Sequence, residues 1–159
     1  MFAFPHPGLR RRPPRPPRLL LFTYASAHTP HHAPFSAHFR LPVLSLLDVS
    51  QCRVPPRHIC ATMTGLDAEC RRYVFQCPQI RAIYDAGRRM VEAAAGRGGG
   101  AVALGVSCGS GTHRSVSFVE RMAREMTARG WEVRVVHLDI GRGRGGGGRR
   151  GDRGPRRYY

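Results

Sequence analysis

The stretch Ala101–Leu138, AVALGVSCGSGTHRSVSFVERMAREMTARGWEVRVVHL, determines the fold expected for this chain. Its apolar run at 101–106 predicts a buried strand, residues 114–129 predict a helix that Gly130 ends, and residues 131–138 predict another strand. Strand, helix and strand in this order predict a right-handed βαβ unit and a parallel sheet. We therefore expect an α/β domain, a three-layer sandwich with a mainly parallel sheet.

The chain upstream of this stretch continues the alternation of strands and helices. Apolar runs indicate the strands, and acidic residues in a first helical turn or a proline at the first helical position indicate the helices. The expected elements are strands at 19–24 and 43–49, a His- and Pro-rich loop at 25–40, a helix from the signal at 64–69 to about Gln76, and a helix at 78–95. Together they predict one folded domain over residues 19–140.

Arginine dominates the charge of the chain. All 26 basic residues are Arg against 10 acidic residues, which gives a formal net charge of +16. The absence of Lys excludes a Walker A loop and any mechanism that needs a catalytic Lys. The segments 1–18, Pro/Arg-rich, and 141–159, Arg/Gly-rich, are predicted to be disordered tails. Two interpretations of these tails are equally favoured: contact with RNA phosphates, or Arg and Gly as products of a GC-rich coding region.

Cysteine usage and hydropathy indicate a protein of a reducing compartment. The five cysteines are an odd number without a secretory signal, so a disulfide framework is not expected. No Cys or His spacing is typical of zinc, and we predict neither a metal nor a cofactor. No apolar run is long enough for a membrane helix. We expect a cytoplasmic protein without membrane contact, although the Arg-rich amino terminus leaves organelle targeting open.

The turn between the strand at 101–106 and the helix at 114–129 has the composition of an anion site. Open α/β sheets bind ligands at the carboxyl ends of their strands. Glycines at 109 and 111 let backbone N–H groups converge, and the helix terminus and Arg114 add positive charge. We expect this loop to hold a phosphate. Its predicted ligand-binding residues are Cys108, Gly109, Ser110, Gly111, Thr112, His113, Arg114 and Ser115.

The same loop also fits the C-x5-R signature of cysteine-dependent phosphatases. In that alternative Cys108 is the nucleophile, Arg114 holds the phosphate and Ser115 assists the thiolate. The residue before the cysteine is Ser107 rather than the His usual in such enzymes. A general acid is also needed, and the sequence offers four equivalent candidates. They are Asp48, Asp67, Asp85 and Asp139.

A set of motifs in a fixed order extends this loop into a family resemblance. The motifs are Asp48-Val49, Pro55-Pro56-Arg57-His58, Thr64-Gly65-Leu66-Asp67, Cys108-x-x-Gly111-x-His113-Arg114-Ser115-Val116, Glu120-Arg121 and Val133-x-Val135-x-His137-x-Asp139. In this order they resemble the carboxy-terminal domain of the RapZ family of RNase adapter proteins, over roughly residues 19–140. The P-loop domain of full-length members has no counterpart in this sequence, so nucleotide hydrolysis is not implied.

The resemblance implies a binding module for a phosphorylated small molecule. In the bacterial adapters this domain resembles a sugar-phosphate sensor that binds glucosamine 6-phosphate and a small regulatory RNA. Carried over, Cys108, Gly111, His113, Arg114 and Ser115 would line the phosphate pocket. His58 and His137 would be its neighbours, and Asp48 would orient the loops. The chain departs from the family pattern at Ser50, Val54, Gly109 and Leu138, and two of these departures each remove an Arg.

Three hypotheses follow from the sequence. The first is a binding module that holds a sugar-phosphate-like ligand in the loop at 108–115, with RNA contact through the Arg-rich tails. The second is an enzyme, the phosphatase that uses Cys108 and Arg114. The third is a divergent, truncated gene product that retains no activity.

Overall fold

A computed structural model describes residues 15–30, 33–95 and 100–140, and the backbone of residues 156–158. The elements, in chain order, are β1 (Arg18–Ala25), α1 (Phe35–Phe39), β2 (Val43–Asp48), α2 (Arg57–Thr62), α3 (Ala68–Val74), α4 (Pro78–Ala95), β3 (Ala101–Cys108), α5 (Arg114–Ala128), β4 (Glu132–His137) and β5 (Arg156–Tyr158). Of the predicted disordered tails, 1–18 and 141–159, residues 1–14, 141–155 and Tyr159 lie outside the described residues.

The five strands form one sheet in the order β2-β3-β1-β4-β5. The first four pair in parallel, and β5 pairs antiparallel with β4. The predicted α/β class with a mainly parallel sheet is therefore confirmed. Within the predicted carboxy-terminal tail, three residues take part in the sheet through their backbone.

The order of the strands determines which helices cover which face. The connection from β1 to β2 runs across the sheet in one direction, and the connections from β2 to β3 and from β3 to β4 run in the other. Because such crossovers are right-handed, α1 must lie on one face and α2 to α5 on the opposite face. The two hydrophobic clusters agree with this rule, since Leu21 packs with residues of α4 and α5, whereas Phe22 packs with α1.

The central strand β1 is buried on both faces. All seven residues from Leu19 to Ala25 are buried, which is why this strand is continuously apolar rather than alternating. On the α1 side, the rings of Phe22, Phe35 and Phe39 meet with centroids 4.7 to 6.4 Å apart. Such ring pairs each add about 0.5–1.5 kcal/mol to the stability provided by area burial alone.

Two short helices were not predicted. The segment 25–40, expected to be a loop, contains α1, because Phe35 fills the space above Phe22 and Tyr24 at centroid distances of 4.8 and 4.9 Å. Helix α2 has six residues, too few for an apolar period to be visible. Both helices result from tertiary packing rather than from a local pattern.

The predicted boundaries are otherwise close to the observed ones. Helix α4 has the predicted bounds, and α5 begins at Arg114 as predicted. Strand β3 extends two residues further than expected, to Cys108, so the predicted first ligand residue is the last residue of the strand. None of the described helices is long and apolar enough to cross a membrane.

Candidate functional site

The loop at 109–113 connects the carboxyl end of β3 to the amino end of α5, near the middle of the sheet. Two backbone hydrogen bonds fasten it to the segment after β1. Ser26 N donates to Cys108 O at 3.1 Å, and Ala27 N donates to Gly109 O at 3.3 Å. The loop therefore has a fixed position at the carboxyl ends of the parallel strands, where α/β proteins of this type bind their ligands.

Gly111 is required by the turn in this loop. Its φ is +66°, and a Cβ atom at this position would lie 3.0 Å from Ala25 N and 3.1 Å from Asp139 Cβ. Asp139 is 2 % exposed, and its Oδ2 accepts a hydrogen bond from Ala25 N at 2.8 Å. A side chain at 111 would thus meet both a rare backbone conformation and a filled space.

Arg114 joins the loop to the segment that follows β2. Its Nη1 donates to Ser50 O at 2.5 Å and to Cys52 O at 2.6 Å. The side of the guanidinium that carries Nη2 faces the loop, since a Cβ atom built on Gly109 would lie 4.0 Å from Nη2. One half of this largely buried cation is therefore used to hold the protein together, and the other half lies beside the glycine-rich turn.

Asp48 orients the segment 50–52, to which Arg114 donates its hydrogen bonds. Its carboxylate accepts hydrogen bonds from Ser50 N at 2.9 Å, Ser50 Oγ at 2.8 Å and Ser107 Oγ at 3.1 Å. Burial raises the pKa of the nearby Tyr24 hydroxyl. A hydrogen bond with Ser107 lowers this pKa, and the negative charge of Asp48 raises it further. Ser50, one of the departures from the family pattern, thus makes a specific contact of its own.

Two of the predicted ligand residues lie beneath the loop. Cys108 Sγ and Ser115 Oγ are 3.2 Å apart. Cys108 is 1 % exposed to solvent and Ser115 is 0 % exposed. Cys108 packs in the large hydrophobic cluster between the sheet and helices α3 to α5. A ligand at the surface of the loop would not touch either side chain.

Some of the remaining loop residues hold the loop in place through hydrogen bonds, and others face solvent. Thr112 is 7 % exposed and its carbonyl accepts a hydrogen bond from Gly65 N at 2.9 Å. His113 is half-buried, and its Nε2 donates to Met63 O at 3.1 Å. Ser110 is exposed and Gly109 is half-buried. The solvent-facing part of the predicted site is therefore Gly109, Ser110 and His113.

The Thr64–Asp67 motif packs directly against the first turn of α5. A Cβ atom on Gly65 would lie 2.3 Å from Ser117 N and 2.5 Å from His113 O, so only glycine allows this approach. Asp67 Oδ2 accepts from Thr64 N at 2.7 Å and closes the turn. The sequence indicated this motif as a helix start. Its glycine was the signal for a close backbone contact, but its partner is 50 residues away.

The two outlying histidines lie in different surroundings. His58 is exposed on α2. His137 is buried, with its Nδ1 2.9 Å from Thr23 Oγ1 and its Nε2 3.1 Å from Glu120 Oε1. Both nitrogens of this ring are thus occupied inside the core, between β4, β1 and α5. The prediction that His137 adjoins the ligand has no support in these contacts.

The four candidate general acids have other structural partners. Asp48 and Asp139 hold backbone N–H groups as described, Asp67 closes the turn at Thr64, and Asp85 lies on α4 at 3.8 Å from Arg88. Among residues 15–30, 33–95 and 100–140, no group of three or more His, Cys, Asp or Glu could hold a metal ion. All five cysteines are free thiols.

Comparison with known proteins finds similarity over the part of the chain that contains the loop. Residues 38–141 match the family model described as the RapZ C-terminal domain. A nucleotide-binding protein of Thermus thermophilus is 42% identical over 82 residues, which is 50% of this chain and 30% of the relative. One of Streptomyces avermitilis is 35% identical over 115 residues, 68% of this chain and 38% of the relative. The chain thus spans about a third of the length of these curated relatives.

Proposed function

The chain belongs to the family of RapZ C-terminal domains, and from this premise we propose that it binds a small phosphorylated ligand in the loop at 108–115. The observation that carries the proposal is the position of Arg114. Its Nη1 is fixed by two carbonyl groups while its Nη2 lies beside Gly109, at the carboxyl edge of the parallel sheet. The curated relatives described above bear the name nucleotide-binding protein, which is consistent with a phosphorylated ligand.

The loop residues divide into two groups in this proposal. Exposed Ser110 and half-buried Gly109 and His113 contact the phosphate, and the first turn of α5 adds the partial positive charge of a helix amino end. Cys108 and Ser115 support the loop from beneath. Arg114 acts in both ways, because a guanidinium offers its donors in a rigid fork that can serve two partners at once.

The charges around the loop favour a ligand with a single phosphate group. Arg114 is the guanidinium that lies beside the turn, and the Asp48 carboxylate lies on the other side of Ser50. The two arginines of the family pattern are replaced by Ser50 and Leu138, so a second phosphate would have fewer cations to contact. A sugar monophosphate such as glucosamine 6-phosphate, which the resemblance implies, fits this requirement.

The phosphatase alternative is favoured by one contact and opposed by the burial of Cys108. The 3.2 Å distance between Cys108 Sγ and Ser115 Oγ is what such an enzyme needs to stabilise a thiolate. However, Cys108 is 1 % exposed, and an attacking sulfur must reach the phosphorus of its substrate.

The proposal is tested by thermal unfolding of the full chain with glucosamine 6-phosphate, inorganic phosphate or glucosamine. Saturating sugar phosphate should raise the melting temperature by several degrees, because a ligand that binds only the folded state stabilises it. Ser110→Glu places a carboxylate on the exposed loop and should abolish the shift. The matched control Ser36→Glu, on exposed α1 at the opposite face, should retain it.

Two results would contradict the proposal. An equal shift in Ser110→Glu and Ser36→Glu would move the ligand away from the loop. Turnover of an aryl phosphate by the wild-type chain that Cys108→Ser abolishes would establish the phosphatase instead.

RNA contact through the Arg-rich tails is the second part of the proposal, and a cytoplasmic location is the compartment that agrees with both parts. Five arginines of the carboxy-terminal segment lie before the β5 residues, at 142, 144, 149, 150 and 153. Replacing all five by Gln leaves β5 intact and should weaken RNA binding. It should also make binding less steeply dependent on salt, because fewer counterions are released. An unchanged salt slope would contradict this role.

A further inference from the structure

A cleft of about 520 Å³ lies between α3 and α5, away from the loop. Four arginines line it, two from each helix: Arg71 and Arg72 from α3, and Arg121 and Arg124 from α5. The ring of Phe75 forms part of its wall. None of these residues belongs to the site described above.

Two of the four guanidinium groups are held in place. The Cζ atom of Arg121 lies 4.3 Å from the ring centroid of Phe75 and 5.4 Å from that of Tyr84, so its guanidinium rests on aromatic rings. Arg71 donates from Nη1 to the carbonyl oxygens of Gly65, at 3.2 Å, and Leu66. Fixed guanidiniums lose less conformational entropy when they bind a ligand than freely moving ones do.

Three arginines of the cleft, Arg72, Arg121 and Arg124, differ from other arginines nearby in their ion pairs. Arg88 lies 2.9 Å from Glu92, and Arg129 lies 2.7 Å from Glu125. By contrast, no carboxylate of the described residues lies within 4.0 Å of the guanidinium nitrogens of Arg72, Arg121 or Arg124.

The one acidic side chain at the edge of the cleft is directed elsewhere. Glu125 Oε2 accepts from Tyr84 OH at 2.6 Å, and its Oε1 is paired with Arg129 and lies 3.8 Å from Arg88. The carboxylate charge is thus balanced by two arginines outside the cleft. The cleft keeps an excess of positive charge, which repels itself unless an anion is bound.

We propose that this cleft is a second anion site, for a small ligand that carries two or more adjacent phosphate groups. Arg72 on α3, with Arg121 and Arg124 on α5, can contact two phosphates from separate helices, since guanidinium groups bind phosphate oxygens in a bidentate manner. The cleft volume lies in the range of roughly 300–1,000 Å³ that is typical of small-molecule sites. A concave cleft of this size favours a compact ligand over a nucleic acid or an acidic protein.

The experiment is calorimetric titration of the full chain with inorganic pyrophosphate. Arg121→Gln combined with Arg124→Gln should weaken binding by about tenfold or more, because two charge-assisted contacts are lost. The matched control is Arg81→Gln with Arg89→Gln on exposed positions of α4, which removes the same charge and should change binding less than about twofold. Ser110→Glu should leave pyrophosphate binding intact, which separates the cleft from the loop.

The proposal is overturned if both double variants bind pyrophosphate equally, or if the wild-type chain binds pyrophosphate no more tightly than inorganic phosphate. It is also overturned if pyrophosphate does not bind but a single-stranded RNA or a poly-glutamate peptide binds in an Arg121-dependent manner, which would assign the cleft to a macromolecule. Loss of pyrophosphate binding in Ser110→Glu alone would assign it to the loop.

Discussion

Helix α5 carries arginine at its amino end and again near its middle, and the two places differ in what surrounds the guanidinium. Arg114 is 9 % exposed and donates to two carbonyl oxygens. Arg121 lies seven residues further, roughly 10 Å along the helix axis, where its exposed side chain rests on Phe75. Arg114 is thus bound to the backbone around it, whereas Arg121 rests on an aromatic ring at the surface.

This difference separates stability from binding. A guanidinium whose donors bind buried carbonyls supports the fold, because removing it leaves those carbonyls without a partner. A guanidinium on the surface contributes little to folding, so it is free to serve a ligand. Substitution of Arg114 should therefore destabilise the fold, and substitution of Arg121 or Arg124 should change binding without changing the fold.

The largest effect is expected for Gly65→Ala, at the loop end. The new Cβ atom would lie 2.3 Å from Ser117 N and 2.6 Å from Val116 Cβ, and the backbone of α5 cannot move away cheaply. We expect a loss of more than about 3 kcal/mol in the free energy of unfolding, measured in urea. Gly100→Ala is the control, because a Cβ atom there meets nothing within 4 Å. Equal stability of the two variants would show that the motif does not need its close approach.

The second-largest loss of stability is expected for Arg114→Met, which tests whether this arginine supports the fold. Ser50 O and Cys52 O would lose their donor, at an expected cost of about 2–3 kcal/mol in the free energy of unfolding. Arg121→Met, which removes the cation from an exposed position, should cost less than about 1 kcal/mol. If chemical denaturation gave the two variants the same stability, the contrast between the two ends of α5 would be lost.

A pH-dependent effect of intermediate size is expected from Tyr84, behind the cleft. Burial, together with the hydrogen bond and the charge of Glu125, raises the pKa of Tyr84 above its ordinary value of 10.0. The folded state therefore keeps this proton longer than the unfolded state. The resulting stability is fully present below pH 10 and is lost as the pH rises through the folded-state value.

Tyr84→Phe is the matching variant. It should cost about 1–2 kcal/mol at neutral pH through loss of the bond to Glu125, and the difference from wild type should shrink at about pH 11. The raised pKa of Tyr24 is present in both proteins and cancels in the comparison. Urea unfolding at several pH values measures the difference, and a gap that stays constant up to high pH would refute the assignment.

The smallest effect is expected for Arg124→Glu, in the cleft. Arg124 and Arg121 lie three residues apart on α5 and carry the same charge. The substitution turns this repulsive pair into an attractive one. The expected gain is about 0.3 kcal/mol in the free energy of unfolding at low salt. Pyrophosphate binding should be lost at the same time. A loss of stability instead would mean that Arg124 supports the fold as Arg114 does.

The sequence predicted the α/β class, helix α4 with its bounds and the loop between β3 and α5, because each has a strong local signal. Apolar periodicity marks the strands and helices, and the glycines at 109 and 111 mark the turn. Helices α1 and α2 were not predicted, since a single turn of helix depends on what it packs against. Which residues of the segment 108–115 face solvent could not be predicted either, because the burial of Cys108 and the exposure of Ser110 depend on how β3 and α5 pack in the fold.

The sequence by itself determined the fold class, the place of the glycine-rich loop between β3 and α5, and the family. These properties depend on composition and on spacing along the chain, which local rules capture. Only the tertiary structure decided that Gly65 abuts α5, that His137 faces Glu120 inside the core, and that four arginines from α3 and α5 share one cleft. Such contacts join residues tens of positions apart, and the packing of the helices on the sheet sets which of them meet.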